Sequence, residues 1–245
     1  MPIEFASARR YGSVILKRKV TAARVLRRKN INVDQNKKLA PHTTTTKDLR
    51  PIGILPLVFF SVQAIHYWQI DQLGHMLWMC NVGNLLLALG LFFEAVRMIR
   101  VAVIWIIPGL AVWFLFYILP LWGTLLHGSI SYAQLFGVLS STLVHVGGFA
   151  VAIVVLRRVG MDARAWVFAF IWYLVVQLCS RLLTPAAMNV NVSHRIQEGW
   201  EPVFSVYWKF WLVLTLGIGL GLWVLGLLLK MLWPVSAASI EAPAP

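Results

Sequence analysis

Apolar residues run in long blocks along this chain, separated by short polar breaks. Six blocks approach the roughly 20 residues that cross about 30 Å of hydrocarbon as a helix. They cover residues 51–70, 75–97, 101–122, 133–156, 165–184 and 208–233. The first is the most polar, because PIGILPLVFFSVQAIHYWQI holds two prolines, two glutamines and a histidine. The pattern predicts an all-α polytopic membrane protein: a bundle of six transmembrane helices behind a basic N-terminal tail.

The breaks carry an orientation signal. Arg97 and Arg100 lie between the second and third blocks, Arg157, Arg158 and Arg164 between the fourth and fifth, and Lys230 near the end of the sixth. The alternate breaks are nearly free of Lys and Arg, and the long 185–207 segment holds only Arg195. Basic residues favour the cytoplasmic side, so six spans with both termini in the cytoplasm put every basic cluster on one side. Trp68, Trp122, Trp166, Trp208 and Trp233 fall near predicted ends, where interfacial indoles belong.

Composition agrees. Of 245 residues, 59% are hydrophobic and 13% charged, against about 25% charged in soluble domains. The net charge of +13 is concentrated in residues 1–50, which hold 13 of the 22 Lys and Arg and 3 of the 9 Asp and Glu. The high isoelectric point therefore belongs to the tail and does not argue for a nucleic-acid partner. Residues 7–29 alternate basic clusters with Tyr11, Ile15, Ala22, Val25 and Leu26. That reads either as a basic amphipathic helix on anionic lipid headgroups or as a disordered tail that sets topology. Residues 36–50 read as a linker and 234–245 as a disordered tail. No apolar h-region precedes residue 51, so the first span is expected to act as an uncleaved signal-anchor. The halves of the chain do not match as inverted repeats, which weighs against a transporter of that construction. Gly217 and Gly221 form a GxxxG pair, whose close-contact spacing leaves room for a homo-oligomer.

Polar side chains inside the blocks need a partner or a cavity. Cys80 and Asn84 are four apart and share a helix face. Cys80 reads as a nucleophile near the outer leaflet or as a small buried hydrophobe. His145 sits mid-block, after Ser140, Ser141 and Thr142 and before Gly147 and Gly148. It reads as a base or as a helix-bridging hydrogen bond. His66 and His75 lie nearer interfaces. Glu94 and Arg97 are spaced to pair locally. Gln177 and Arg181 share a face, with Arg181 placed to snorkel or to bind an anion. Asn189, Asn191, Ser193, His194 and Arg195 concentrate polarity where they would cap the outer mouth of a cavity. Cys80 and Cys179 both lie in apolar blocks, so no disulfide framework is expected. No CxxC or HExxH spacing is present, and neither metal nor cofactor is expected.

Three stretches, WMCNVGNLLLALGLF, STLVHVGGFAVAIVVL and LTPAAMNVNVSHRIQEGWEPVFSVYWKFWLVL, resemble the YwaF-like six-span membrane proteins of bacteria. The likeness covers most of 52–233. That superfamily includes an animal ether-phospholipid acyltransferase. The resemblance implies a bacterial inner (plasma) membrane, membrane lipids as partners, and acyl transfer with Cys80 as nucleophile and acyl carrier and His145 as base. Asn84 or Asn191 would then donate to the oxyanion. The family often reads His-Leu-Cys, whereas Trp78-Met79 precede Cys80 here. A catalytic role for the family's histidine would fall to His75 or His66. Two other readings stand beside it: a small-molecule or lipid transporter or binding protein lined by Glu94, Gln177, Arg181 and the histidines, and a non-enzymatic scaffold acting through the tail.

Overall fold

The computed structural model describes residues 46–119, 121, 128 and 131–235. The amphipathic reading of 7–29 and residues 236–245 of the expected C-terminal tail lie outside the described residues. Among them the fold is all-helical. A 3₁₀ turn, Thr46–Gly53, leads into α1, Ile54–Gln69. A second 3₁₀ turn, Leu73–Leu77, precedes α2, Met79–Phe92. α3, Val96–Trp113, continues as a π-helical turn, Phe114–Ile118. α4, Tyr132–Thr142, passes through a π-helical turn, Leu143–Gly147, into α5, Gly148–Val159. α6 spans Ala165–Leu183 and α7 spans Tyr207–Leu232.

Five helical stretches are long and apolar enough to cross a membrane: Leu49–Gln69, Val96–Ile118, Tyr132–Val159, Ala165–Leu183 and Tyr207–Leu232. These match the predicted blocks to within a few residues at most ends. The second block does not match. Its expected 75–97 shrinks to the 14 residues of α2, about 21 Å of helix. The reason lies in its surroundings. α2 packs against α1, α3 and the turn around His145, and Asn81, Gly83, Asn84, Leu86, Leu87, Ala88, Gly90 and Leu91 are all buried. A helix shielded by protein has no need to match the lipid thickness. Gly83 and Gly90 make the α2–α3 approach close: a Cβ on either would come within 3.0 Å of Ile106 Cγ1 or 2.9 Å of Ile99 Cγ1.

The hairpin between α2 and α3 turns at Glu94, with φ of 55°. Glu94 pairs with Arg50, and the Arg97 guanidinium lies 4.4 Å from the Phe168 ring centroid. Both side chains of the expected Glu94–Arg97 pair thus also make contacts that reach other segments. Leu49 is 1% exposed within the core, so the bundle begins before residue 51 and takes in the end of the expected linker. The same end of the bundle is stapled elsewhere. Arg100 donates to the carbonyls of Val159 (3.1 Å) and Gly160 (2.9 Å), capping α5. Met161 N–H donates to Trp233 O at 2.7 Å, joining the α5–α6 turn to the end of α7.

Candidate functional site

The opposite end of the bundle gathers the turns before α2, the π turn after α3 and the loop before α7. Cys80 occupies the first turn of α2, whose N-terminal N–H groups lack intrahelical acceptors. The Asn81 and Val82 N–H groups donate to Trp78 O. The N–H groups of Cys80 and Asn81 are also directed at the Cys80 sulfur. Asn81 fixes this turn, its amide donating 2.9 Å to His75 O. Tyr67 of α1 stands in electrostatic reach of the thiol, with Gln63 beside the phenol.

Cys80 packs on α3 at Gly109, where a Cβ would lie 3.3 Å from that of Cys80. One helical turn along the same face, Trp113 stacks on His145, with ring centroids 5.0 Å apart and planes 10° apart. Trp113 Nε1 donates 2.8 Å to Ser141 Oγ. His145 Nδ1 lies 2.8 Å from Ser141 O. A carbonyl oxygen only accepts, so Nδ1 carries the proton, and in the neutral ring Nε2 keeps its lone pair. Side chains lean toward a helix N-terminus, so this ring sits over the Ser141 turn rather than at its own Cα level. That offsets the extra depth a residue count assigns to His145. No hydrogen bond joins His145 to Cys80 among the described residues.

Asn84 couples the two segments. Its amide donates to Cys80 O at 2.9 Å and to Val144 O at 3.1 Å. Both N–H groups are therefore committed, and Asn84 has no donor left for an oxyanion. Its Oδ1 is buried without a donor. Asn191 is equally committed, to Leu77 O at 2.7 Å and Ser180 Oγ at 2.9 Å. Both amides, expected as oxyanion donors, instead position backbone. The groups left for that role are the first-turn N–H groups of Met79 and Cys80.

The remaining predicted residues divide by location. His75 Nδ1 accepts 2.9 Å from Trp78 Nε1, so in the neutral ring its other nitrogen bears the proton and is not a base. His66 packs on Gly137 and lies 5.8 Å from Phe136 between ring centroids. Gln177 is buried on α6, near Tyr173 and Thr215. Arg181 donates to Ser193 O at 2.6 Å and lies over the Tyr207 ring. Gln177 and Arg181 thus belong to the α6–α7 seam and not to the Cys80 layer. Trp113 and Gly109 were not singled out in the sequence. A mid-block tryptophan, whose N–H needs a buried partner, is the signal that points to the first.

Of the five polar residues expected to cap a cavity mouth, Asn189 and Arg195 line one cleft. Met188, Asn189, Arg195 and Ile196 line a cleft of about 610 Å³ that also touches Trp78. Among the described residues no group of three His, Cys, Asp or Glu is placed to hold a metal. No family model, curated protein or solved structure matches this chain.

Proposed function

We propose that this multi-pass membrane protein is a lipid acyltransferase working through Cys80 and His145. It crosses the membrane six times, with both termini in the cytoplasm of a bacterial inner membrane. The short α2 is the sixth, protein-shielded crossing. The observation that carries the chemistry is the shared α3 face. Gly109, against Cys80, and Trp113, against the His145 ring, are one turn apart on α3, about 6 Å along its axis, with the Nδ1 proton tied to Ser141 O. π-helical turns, which are rare and gather at functional sites, occur on both sides of that stack.

In the proposed reaction His145 Nε2 takes the thiol proton and the Cys80 sulfur attacks the carbonyl carbon of an ester-linked acyl chain. The first-turn N–H groups of α2 hold the resulting oxyanion. The C–O bond breaks, the leaving alcohol takes the proton back from His145, and the acyl group rests on Cys80 as a thioester. A second alcohol then attacks that thioester, giving its proton to His145 as the C–S bond breaks, and the thiol is restored.

The test is labelling of the purified protein with a clickable fatty-acyl donor. Expected is a hydroxylamine-sensitive label that is lost in Cys80→Ala and weakened about 10²-fold or more in His145→Ala. Absence of label on folded wild-type protein across several acyl donors would overturn the acyl-transfer reading.

A further inference from the structure

The cleft over the first turn of α2 is lined by both signs of charge. Arg195 lies with Glu198 and Glu201 around one opening of about 610 Å³, together with Asn189, Gln197 and the Trp78 ring. No ion pair joins Arg195 to either glutamate among the described residues, where the ion pairs are Arg50–Glu94 and Arg100–Asp162. Opposite charges that line one cleft without neutralising each other suit a guest that carries both. The loop presenting them is built. Asn189 Oδ1 accepts from the N–H groups of His194 and Arg195, both at 3.0 Å, and its amide donates to Arg195 O at 3.2 Å. Arg195 is thus locked by its main chain, which leaves the guanidinium free of that work. Val192, a β-branched residue, holds φ of 56°, and Asn189 and Asn191 hold 45° and 51°. Strain of this kind persists where the surroundings over-determine the backbone, as at ligand clamps. Here the surroundings are Tyr207, donating to Val192 O at 3.0 Å, and Asn191, tying the loop to Leu77.

We infer that this cleft binds a zwitterionic group, one bearing an ammonium and an anion a few bonds apart. Arg195 and the amides of Asn189 and Gln197 take the anion as charge-assisted hydrogen bonds. Glu198, Glu201 and the Trp78 ring take the ammonium, by charge and by cation–π attraction. Such a group is carried by lipid headgroups and by small soluble molecules alike, and the cleft stands whether or not Cys80 carries an acyl chain.

The probe is radiolabelled phosphocholine, in equilibrium dialysis against the full-length protein in maltoside micelles. Saturable binding is expected. Choline alone and inorganic phosphate alone each bind about ten- to a hundredfold more weakly. Arg195→Gln and the pair Glu198→Gln/Glu201→Gln each lose affinity by a similar factor, while Lys209→Gln, outside the cleft, and Cys80→Ala bind as wild type. Competition by lysophosphatidylcholine at lower concentration than phosphocholine assigns the site to a lipid headgroup, and equal competition assigns it to a soluble zwitterion. The inference is overturned if phosphocholine does not saturate, if choline alone binds as tightly, or if both cleft variants bind as wild type. Retained binding in Cys80→Ala separates this site from the thioester reading.

Discussion

At the scale of single residues, the Asn84 carboxamide is the tightest constraint in the candidate site. Its two hydrogens are spent on Cys80 O and Val144 O, so it has no freedom to swing aside. A Cβ on Gly148 would lie 2.5 Å from Asn84 Oδ1 and 2.8 Å from its Nδ2. Gly148→Ala is therefore expected to cost about 1–3 kcal/mol as an overpacked contact, read as a lower Tm, and to reduce acyl labelling of Cys80. Gly217→Ala is the matched control, since nothing lies within 4 Å of its added methyl; its Tm should not fall. Because alanine favours a helix over glycine, a Gly148→Ala Tm that does not fall relative to wild type would show that the Asn84 contact is not limiting. Trp113→Phe keeps a ring against His145 but loses the bond to Ser141. We expect labelling to survive in Trp113→Phe and to drop sharply in Trp113→Leu, because only the second removes the stacked surface that holds the imidazole.

At the scale of elements, the ends of the helices are closed by long-range groups. α5 ends at Gly160, with φ of 64° and ψ of 165°, a region essentially reserved for glycine. An added Cβ there would meet Pro234 O at 2.7 Å. Gly160→Ala is expected to lose about 1–3 kcal/mol, measured by thermal unfolding in detergent. Arg100 reaches the same turn with a planar fork that meets two carbonyls. A lysine ammonium cannot reproduce that fork, so Arg100→Lys should also lower the Tm. A wild-type Tm in Arg100→Lys would show that the α5 cap does not need the guanidinium. The apolar pattern announced all these helices, yet it overstated α2. Hydropathy registers that a segment is apolar, not whether lipid or protein surrounds it, and α2 is wrapped by its neighbours.

At the scale of the whole molecule, the proposed count of crossings decides where the ends lie. If α2 crosses with the five long helices, the N- and C-termini face the same side; if it does not, they face opposite sides. A fluorescent reporter at the C-terminus and alkaline phosphatase inserted after Gln197 test this. Both are expected to be active under the proposed topology, which puts the C-terminus in the cytoplasm and the 185–207 segment outside. A dark C-terminal reporter on stable protein would reject the even count.

What the amino-acid sequence determined by itself is whatever one-dimensional chemistry dictates: the membrane class, the positions of five long helices and the clustering of Arg and Lys at one end of the bundle. Apolar run length and loop charge are local properties, legible without contacts. It also marked Cys80, Asn84 and His145 as unusual, each a polar group in an apolar run, and Asn191 as part of a polar cluster between two runs. Their roles were decided only by the tertiary structure. Whether an amide is a free donor depends on which carbonyls face it, and Val144 and Leu77 are 60 and 114 residues from Asn84 and Asn191. Which imidazole nitrogen keeps a lone pair depends likewise on the acceptor or donor that the fold supplies, Ser141 O for His145 and the Trp78 indole for His75. Hydrogen bonds are directional and short, so they belong to the packed arrangement and not to the order of residues along the chain.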